Sequence, residues 1–215
     1  MRKLVRGDSP PCLTRYRHGV HRWTLQSPTQ PERDQVWEHL RAMQDTRCAY
    51  CDADISNLKR AHIEHFRQRD RYPQGTFDWT NLFGSCNRED ACGKFKDDCG
   101  PYDHNLLIKP DVDDPDDFLI FVKDGTIIPR ADLNDRARRR ALETLRIFNL
   151  DAQNGALRAM RQEAIRPHLD TAHAIMEMFE EFPQIDIQEF IEGEIQKIAH
   201  LPFSTSIRHT LSVRS

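Results

Sequence analysis

Between Pro31 and Thr46 the apolar residues Val36, Trp37, Leu40 and Met43 recur every three or four positions, which predicts an amphipathic helix opening on a proline. Residues 61–66 predict a short strand, and the polar stretch 67–79, with Tyr72-Pro73-Gln74-Gly75 as its turn, predicts a long loop. A helix is expected through 88–97. Phe118–Val122 and Thr126–Ile128 flank Asp124-Gly125, the signature of a β-hairpin. From Asp132 the period becomes helical. Ala141, Leu142, Leu145 and Phe148 mark one helix, and Asn154-Gly155 separates it from a second that carries Leu157, Met160, Ala164, Ile165, Ile175 and Phe179. Pro167 should kink or split this second helix, and Phe182-Pro183 should end it. Ile187, Phe190, Ile191, Ile195 and Ile198 mark a third. Residues 1–30 read as an extended arm, and Phe203–Ser215 carry no clear pattern. The expected organisation is an arm and helix over 1–46, a mixed α+β part over 47–130 and a helical region over 131–215.

Composition narrows the class. Of the 215 residues 38% are hydrophobic and 30% charged, and the apolar positions are periodic, so a folded chain is expected. No stretch approaches the ~20 apolar residues of a membrane helix. Met1-Arg-Lys-Leu-Val-Arg6 leads into no apolar signal core, so a soluble cytoplasmic protein is expected. The formal charge of -3 means that a nucleic-acid partner would have to be held by local basic patches and metals.

In a reducing compartment the six cysteines are poorly explained as disulfides. Cys48 and Cys51 have the spacing of a zinc knuckle, and Cys86 and Cys92 form a wider second pair. Together they predict a structural tetrahedral Zn²⁺, with Cys99 an alternative fourth ligand and Cys12 a free thiol. Small buried hydrophobes are the competing reading. The interval between the pairs is well beyond the ~15–20 residues that a bare knuckle fold needs. It holds His62, Glu64, His65 and Asn81.

Glu64 beside His65 sets a carboxylate next to an imidazole. The first suits a hard cation such as Mg²⁺, and the second can take a proton from water near neutral pH. Phosphodiester hydrolysis needs both functions. In a regular strand, however, Glu64 shares a face with His62 and not with His65. The strand must therefore end or bulge near Phe66 if Glu64 and His65 are to address one phosphate.

Cys48-x2-Cys51, Ala61-His-Ile-Glu-His-Phe66, Asn81-Leu82, Cys86, Cys92 and Lys96 together resemble the HNH endonucleases with a zinc-bound ββα-metal core. The likeness covers residues 47–97. Asp78–Asn87, Cys92–Asp97, Ile108–Asp111 and the opening Met1-Arg-Lys-Leu extend it towards the HNH subunits of Septu-type and retron-linked anti-phage systems. The resemblance implies a zinc-stabilised HNH core over 47–130, including the hairpin, and a partner-docking helical region after it. By residue it implies Glu64 as ligand of a catalytic Mg²⁺ or Mn²⁺, His65 as general base, Asn81 as brace of the loop, and Cys48, Cys51, Cys86 and Cys92 as zinc ligands. The position of the last HNH residue holds Gly93. Asn87 is the best substitute for it as second metal ligand, and His104 a weaker one.

His62 could join the metal or contact phosphate. Arg67, Arg69 and Arg71 could grip phosphates beside the scissile bond, and Tyr72, Phe77 and Trp79 could stack bases, although Trp79 also suits the core. The resemblance implies a bacterial toxic effector acting with a PtuA-like ABC-type ATPase, and in retron versions with a reverse transcriptase and its DNA–RNA product. Self-association is a further expectation. The alternative is a catalytically decayed, zinc-stabilised binding or adaptor module of the same complex.

Overall fold

The computed structural model describes residues 1–182 and 187–212. Helix α1 (Gln30–Gln44) starts at a capping box. Glu32 Oε2 accepts from the Thr29 amide (2.9 Å), the Thr29 hydroxyl (2.7 Å) and the Tyr16 hydroxyl (2.5 Å). These hydrogen bonds, that from Tyr16 foremost, hold the Glu32 carboxyl down at about 2. The buried face of the helix, with Val36, Leu40 and Met43, joins the main core.

Strand β1 (Ala61–His65) runs antiparallel to β2 (Leu82–Cys86), with Ala61 opposite Cys86 and His65 opposite Leu82. Helix α2 (Cys92–Asp98) packs on β2. It begins four residues later than the pattern suggests, because Arg88 and Asp90 pair locally (2.7 Å) and Ala91 is extended. Strands β3 (Leu119–Phe121) and β4 (Ile127–Pro129) form the expected hairpin, with Gly125 at φ +81° in its turn. Any side chain there would meet the Arg158 carbonyl as well as the strained backbone.

Helix α3 (Asp135–Ile147) is capped by Asn134, whose Oδ1 accepts from the Ala137 amide at 2.9 Å. A 3₁₀ turn containing Pro167 separates α4 (Ala156–Ile165) from α5 (Leu169–Glu181). Pro183, expected to end that segment, lies outside the described residues. Helix α6 is Gln188–Ile198.

The patternless tail contains a further helix, α7 (Ser204–Leu211), most of it buried. Its Ser and Thr residues are poor helix formers, and the stabilising contacts come from the knuckle. The Phe203 amide donates to the Asp52 carbonyl (2.9 Å), and the Asp52 carboxylate accepts from the Thr205 amide (3.3 Å). Arg47 donates to the Ser204 hydroxyl (2.6 Å). At its other end, Arg208 (2.6 Å) and His209 (3.0 Å) reach Asp116.

The acidic stretch 111–117 is thus used from within. Asp111 pairs with Arg6 (2.5 Å) and Lys109 (2.7 Å), and Asp113 with Arg140 (2.6 Å). The main core runs from Met1 and Leu4 through β1, β2 and β3 to Phe148 and Leu157. A smaller cluster, with Ile175, Ile191, Ile198 and Ile207, joins α5, α6 and α7. The fold is mixed α+β. No described helix is long and apolar enough to cross a membrane.

Candidate functional site

Two clusters of chemically capable side chains flank the β1–β2 pair. In the first, the knuckle supplies Cys48 and Cys51, the end of β2 supplies Cys86, and the first residue of α2 supplies Cys92. Their Sγ atoms all lie within 4.8 Å of one another, buried, with Cys51 and Cys86 3.9 Å apart. Sulfurs around a tetrahedral zinc, each about 2.3 Å from the ion, stand roughly 3.8 Å apart, so the four thiols fit Zn²⁺. Burial opposes ionisation of Cys48, but hydrogen bonds from Cys51, Cys86 and Cys92 hold its thiol well below its ordinary value. Cys51 is held well above its ordinary value, chiefly by its contact with Cys48. Cys99 donates to the Lys96 carbonyl (3.1 Å), and Cys12 is buried beside α1.

The second cluster centres on Glu64, which is only 2% exposed. Its Oε1 is 2.8 Å from Lys96 Nζ, and its Oε2 is 3.0 Å from His62 Nε2. Strand parity brings His62 and Glu64 to one face, as the sequence requires. Lys96, fully buried on α2, also donates to the His65 carbonyl (3.0 Å) and to Asp97 (2.6 Å). Burial opposes ionisation of Glu64, but Lys96 foremost, then His62, holds the carboxyl below its ordinary value. Gly93 lies against this carboxylate: a Cβ there would stand 2.4 Å from Oε2. Asn87 lies behind His62, with Oδ1 2.8 Å from His62 Nδ1 and Nδ2 on the Lys59 and Ala61 carbonyls.

His65 ends β1 and turns elsewhere. Its Nε2 is 2.9 Å from the Thr76 carbonyl, an atom that only accepts, so Nε2 carries the hydrogen and Nδ1 the lone pair. Burial, partly offset by that hydrogen bond, lowers its pKa to about 4, so the ring is neutral at neutral pH. Asn81 fixes the loop that brings Thr76 there. Its Oδ1 accepts from the Arg67 amide (2.7 Å), and its Nδ2 donates to the Arg67 (3.1 Å) and Gly75 (3.0 Å) carbonyls. Trp23, from the N-terminal segment, stands edge-on to His65, with ring centroids 4.8 Å apart.

Of the three loop arginines, Arg67 lies over the Tyr72 ring (4.2 Å), Arg69 donates to the Trp23 carbonyl (3.0 Å), and Arg71 is exposed. A cavity of about 460 Å³ lined by His18, His21, Arg22, Trp23, Arg69 and Thr76 opens beside them. Phe77 stacks on Tyr16 (4.7 Å), Trp79 is core, and His104 sits near Tyr72 (6.1 Å between rings). Sequence reasoning missed Lys96 as the partner of Glu64, Thr76 as the acceptor for His65, and Trp23. For Lys96 a signal existed, because its spacing places it one helical turn past Cys92. Thr76 acts through its backbone and Trp23 arrives from a distant segment, so neither leaves a local pattern.

These features define a mixed α+β protein with a four-thiol zinc-type centre and a buried acid–lysine–imidazole cluster beside it. No family model matches the chain. Over 83 residues, 37% of this chain, it is 32% identical to the Septu protein PtuB of Bacillus thuringiensis. The chain thus spans 30% of the length of that relative, and the likeness is a Septu-type one confined to that stretch.

Proposed function

We propose that this chain is a metal-dependent HNH endonuclease that hydrolyses phosphodiester bonds as the effector of an anti-phage defence complex. The observation that carries the reading is the state of His65. The Thr76 carbonyl takes its Nε2–H, burial keeps the ring neutral, and Nδ1 is left to accept a proton, in the residue next to a carboxylate held ionised by Lys96. Those are the requirements of a general base beside a cation-binding acid. The β1–β2 pair followed by α2 has the element order of a ββα-metal core.

In this reading His65 takes the proton from the attacking water at Nδ1. Asn81 keeps Thr76 in place and so keeps the imidazole oriented. Glu64 would hold a divalent cation, Mg²⁺ or Mn²⁺, which when bound supplies positive charge to the phosphate oxygens and the leaving group. Arg67, Arg69 and Arg71, with the basic lining of the neighbouring cavity, would hold flanking phosphates. Zn²⁺ in the four-cysteine centre would keep β2 and α2 in register with the acid.

The likeness to PtuB supports a defence role. By extension the chain would act with an ABC-type ATPase, docked through side chains that the helical region leaves exposed, among them Phe179 and Phe190. DNA and RNA should be assayed side by side with Mg²⁺ or Mn²⁺, with and without the ATPase. Cleavage that disappears in His65→Ala at unchanged zinc content is the expected result. Equal cleavage by that variant removes the general-base assignment. No cleavage under any of these conditions leaves the adaptor reading.

A further inference from the structure

The segment before α1 is held over the candidate base by two arginines. Arg69 donates to the Trp23 carbonyl (3.0 Å), and Arg33 donates to the carbonyls of Pro28 (2.9 Å) and Thr24. A turn within the segment closes on itself, with the Thr24 amide donating to the Ser27 carbonyl (2.7 Å). Arg33 also lies over the Trp23 ring, 5.6 Å from its centroid, and Phe77 stands 5.8 Å from that ring. Trp23 is thereby fixed in place, half-buried and edge-on to His65.

Between this segment and the 67–79 loop lies the cavity of about 460 Å³. His18, His21, Arg22 and Arg69 line it against a single acid, Asp70. Among the described residues the side chains of His18 and Arg22 have no hydrogen-bond or ion-pair partner. In a chain of formal charge -3, this is positive charge that the fold itself does not use. Thr76, whose carbonyl takes the His65 hydrogen, is part of the same wall, so the cavity opens directly beside the candidate base. Guanidinium groups suit a phosphate, and a fixed indole suits the face of a base. The volume falls within the range of an ordinary small-ligand site, about 300–1,000 Å³, and takes one nucleotide. A base pair inside a duplex, stacked on both faces and walled by two backbones, does not enter a space of that size.

We propose that this cavity is a subsite for one unpaired nucleotide of the substrate strand. Its base lies against Trp23 and its phosphate on Arg22 and Arg69, so that the neighbouring phosphodiester is presented to His65. The inference rests on the nuclease reading and deepens it by naming the substrate class: single-stranded nucleic acid.

The test uses the zinc-loaded full chain without Mg²⁺ or Mn²⁺, so that binding is read apart from cleavage. The probes are fluorescein-labelled oligothymidylate, oligouridylate and a DNA duplex of the same length, followed by anisotropy over a range of salt. Either single strand should bind more tightly than the duplex. Trp23→Ala should weaken single-strand binding on the order of ten- to a hundredfold with the salt dependence unchanged, and Trp23→Phe should keep most of the affinity. Arg22→Gln should lower the slope of log K against log salt by about 0.7, the loss of one phosphate contact on a single strand. Duplex binding should respond to none of these changes. Zinc content reports folding in each variant. If Trp23→Ala fails to fold, Trp23→Phe and the exposed, unpartnered Arg22 decide the matter. Single-strand binding that Trp23→Ala and Arg22→Gln leave unchanged, or a duplex bound as tightly as the strands, would overturn the inference. Divalent-dependent cleavage that both variants leave unaffected removes the subsite and keeps the nuclease reading. The expected binding with no cleavage on adding Mg²⁺ or Mn²⁺ sinks that reading and leaves the subsite.

Discussion

Lys96 is fully buried; its ammonium donates to the His65 carbonyl (3.0 Å) and to Asp97 (2.6 Å) and forms an ion pair with Glu64 Oε1 at 2.8 Å. Lys96→Met fills much of the same volume and removes the charge. At 2.8 Å and an effective dielectric constant of about 20, the Glu64–Lys96 attraction is about 6 kcal/mol. The cost of desolvating both groups offsets part of it. What decides the outcome is that the variant leaves a buried carboxylate without its lysine, with only His62 beside it, and removing one partner of a buried ion pair typically costs about 3–5 kcal/mol. The Asp97 pair adds little, because that carboxylate is half exposed. A loss of about 3–5 kcal/mol is therefore expected in urea unfolding of the zinc-loaded protein near pH 7. The pH dependence has a definite sign. In the wild type Lys96 holds the Glu64 carboxyl below its ordinary value, so its contribution is present above the unfolded pKa and fades as pH falls through the folded one. Without Lys96 the desolvation that opposes ionisation of Glu64 loses its main counterweight, so the variant should recover towards wild type on acidification. Pairing Lys96→Met with Glu64→Gln should recover stability at neutral pH as well. A single variant within about 0.5 kcal/mol of wild type at pH 7, or a gap that widens as pH falls, would refute the reasoning.

Asn81→Ala removes three hydrogen bonds within the loop and should cost about 2–4 kcal/mol, with faster amide exchange over residues 67–76 as the local readout. Elemental analysis of natively purified protein should find zinc bound at one site per chain, and Cys48→Ser should lose it together with near-ultraviolet dichroism; natively purified protein without zinc would sink the four-cysteine assignment. Phe190 is 44% exposed whereas Ile191 is 8% exposed. Phe190→Glu should then keep helicity and weaken co-purification with an ATPase partner, and Ile191→Glu should destabilise the α5–α6–α7 cluster by about 3 kcal/mol or more.

What the sequence disclosed follows from how local each signal is. The proline at the start of α1, the Asp124-Gly125 hairpin and the split at Pro167 depend on neighbours in sequence, and all three can be read from the pattern. Helix α7 cannot, because Asp52 satisfies its first turn from about 150 residues away. The apolar residues expected on a docking surface divide for a related reason. Periodicity marks a stripe on a helix without saying what covers it: Phe148 and Ile191 are core, while Leu142, Phe179 and Phe190 are exposed. The acidic run 111–117 looks like a surface feature in sequence and is instead paired with Arg6, Arg140 and Arg208. At the candidate site, alternation along β1 correctly pairs His62 with Glu64. It gives no sign of Lys96, which arrives from α2.

That last contact links the two centres physically. Cys86 ends β2, and Cys92 opens α2 one residue before Gly93 and four before Lys96. A zinc ion clamping these thiols would set the distance between the strand pair and the first turn of α2. The same distance decides whether Lys96 reaches Glu64 at 2.8 Å and whether Gly93 lies close against Oε2. A four-sulfur centre that can hold zinc thus stands where it would hold the buried Glu64–Lys96–His62 cluster in place. His62, on the same strand as Glu64, keeps its geometry to that carboxylate through the β1 backbone, whereas Lys96 depends on α2 being clamped. Partial zinc loss should therefore separate the two sides of the acid. The Lys96 contact to Oε1 should fail before the His62 contact to Oε2, because only the first crosses from strand to helix.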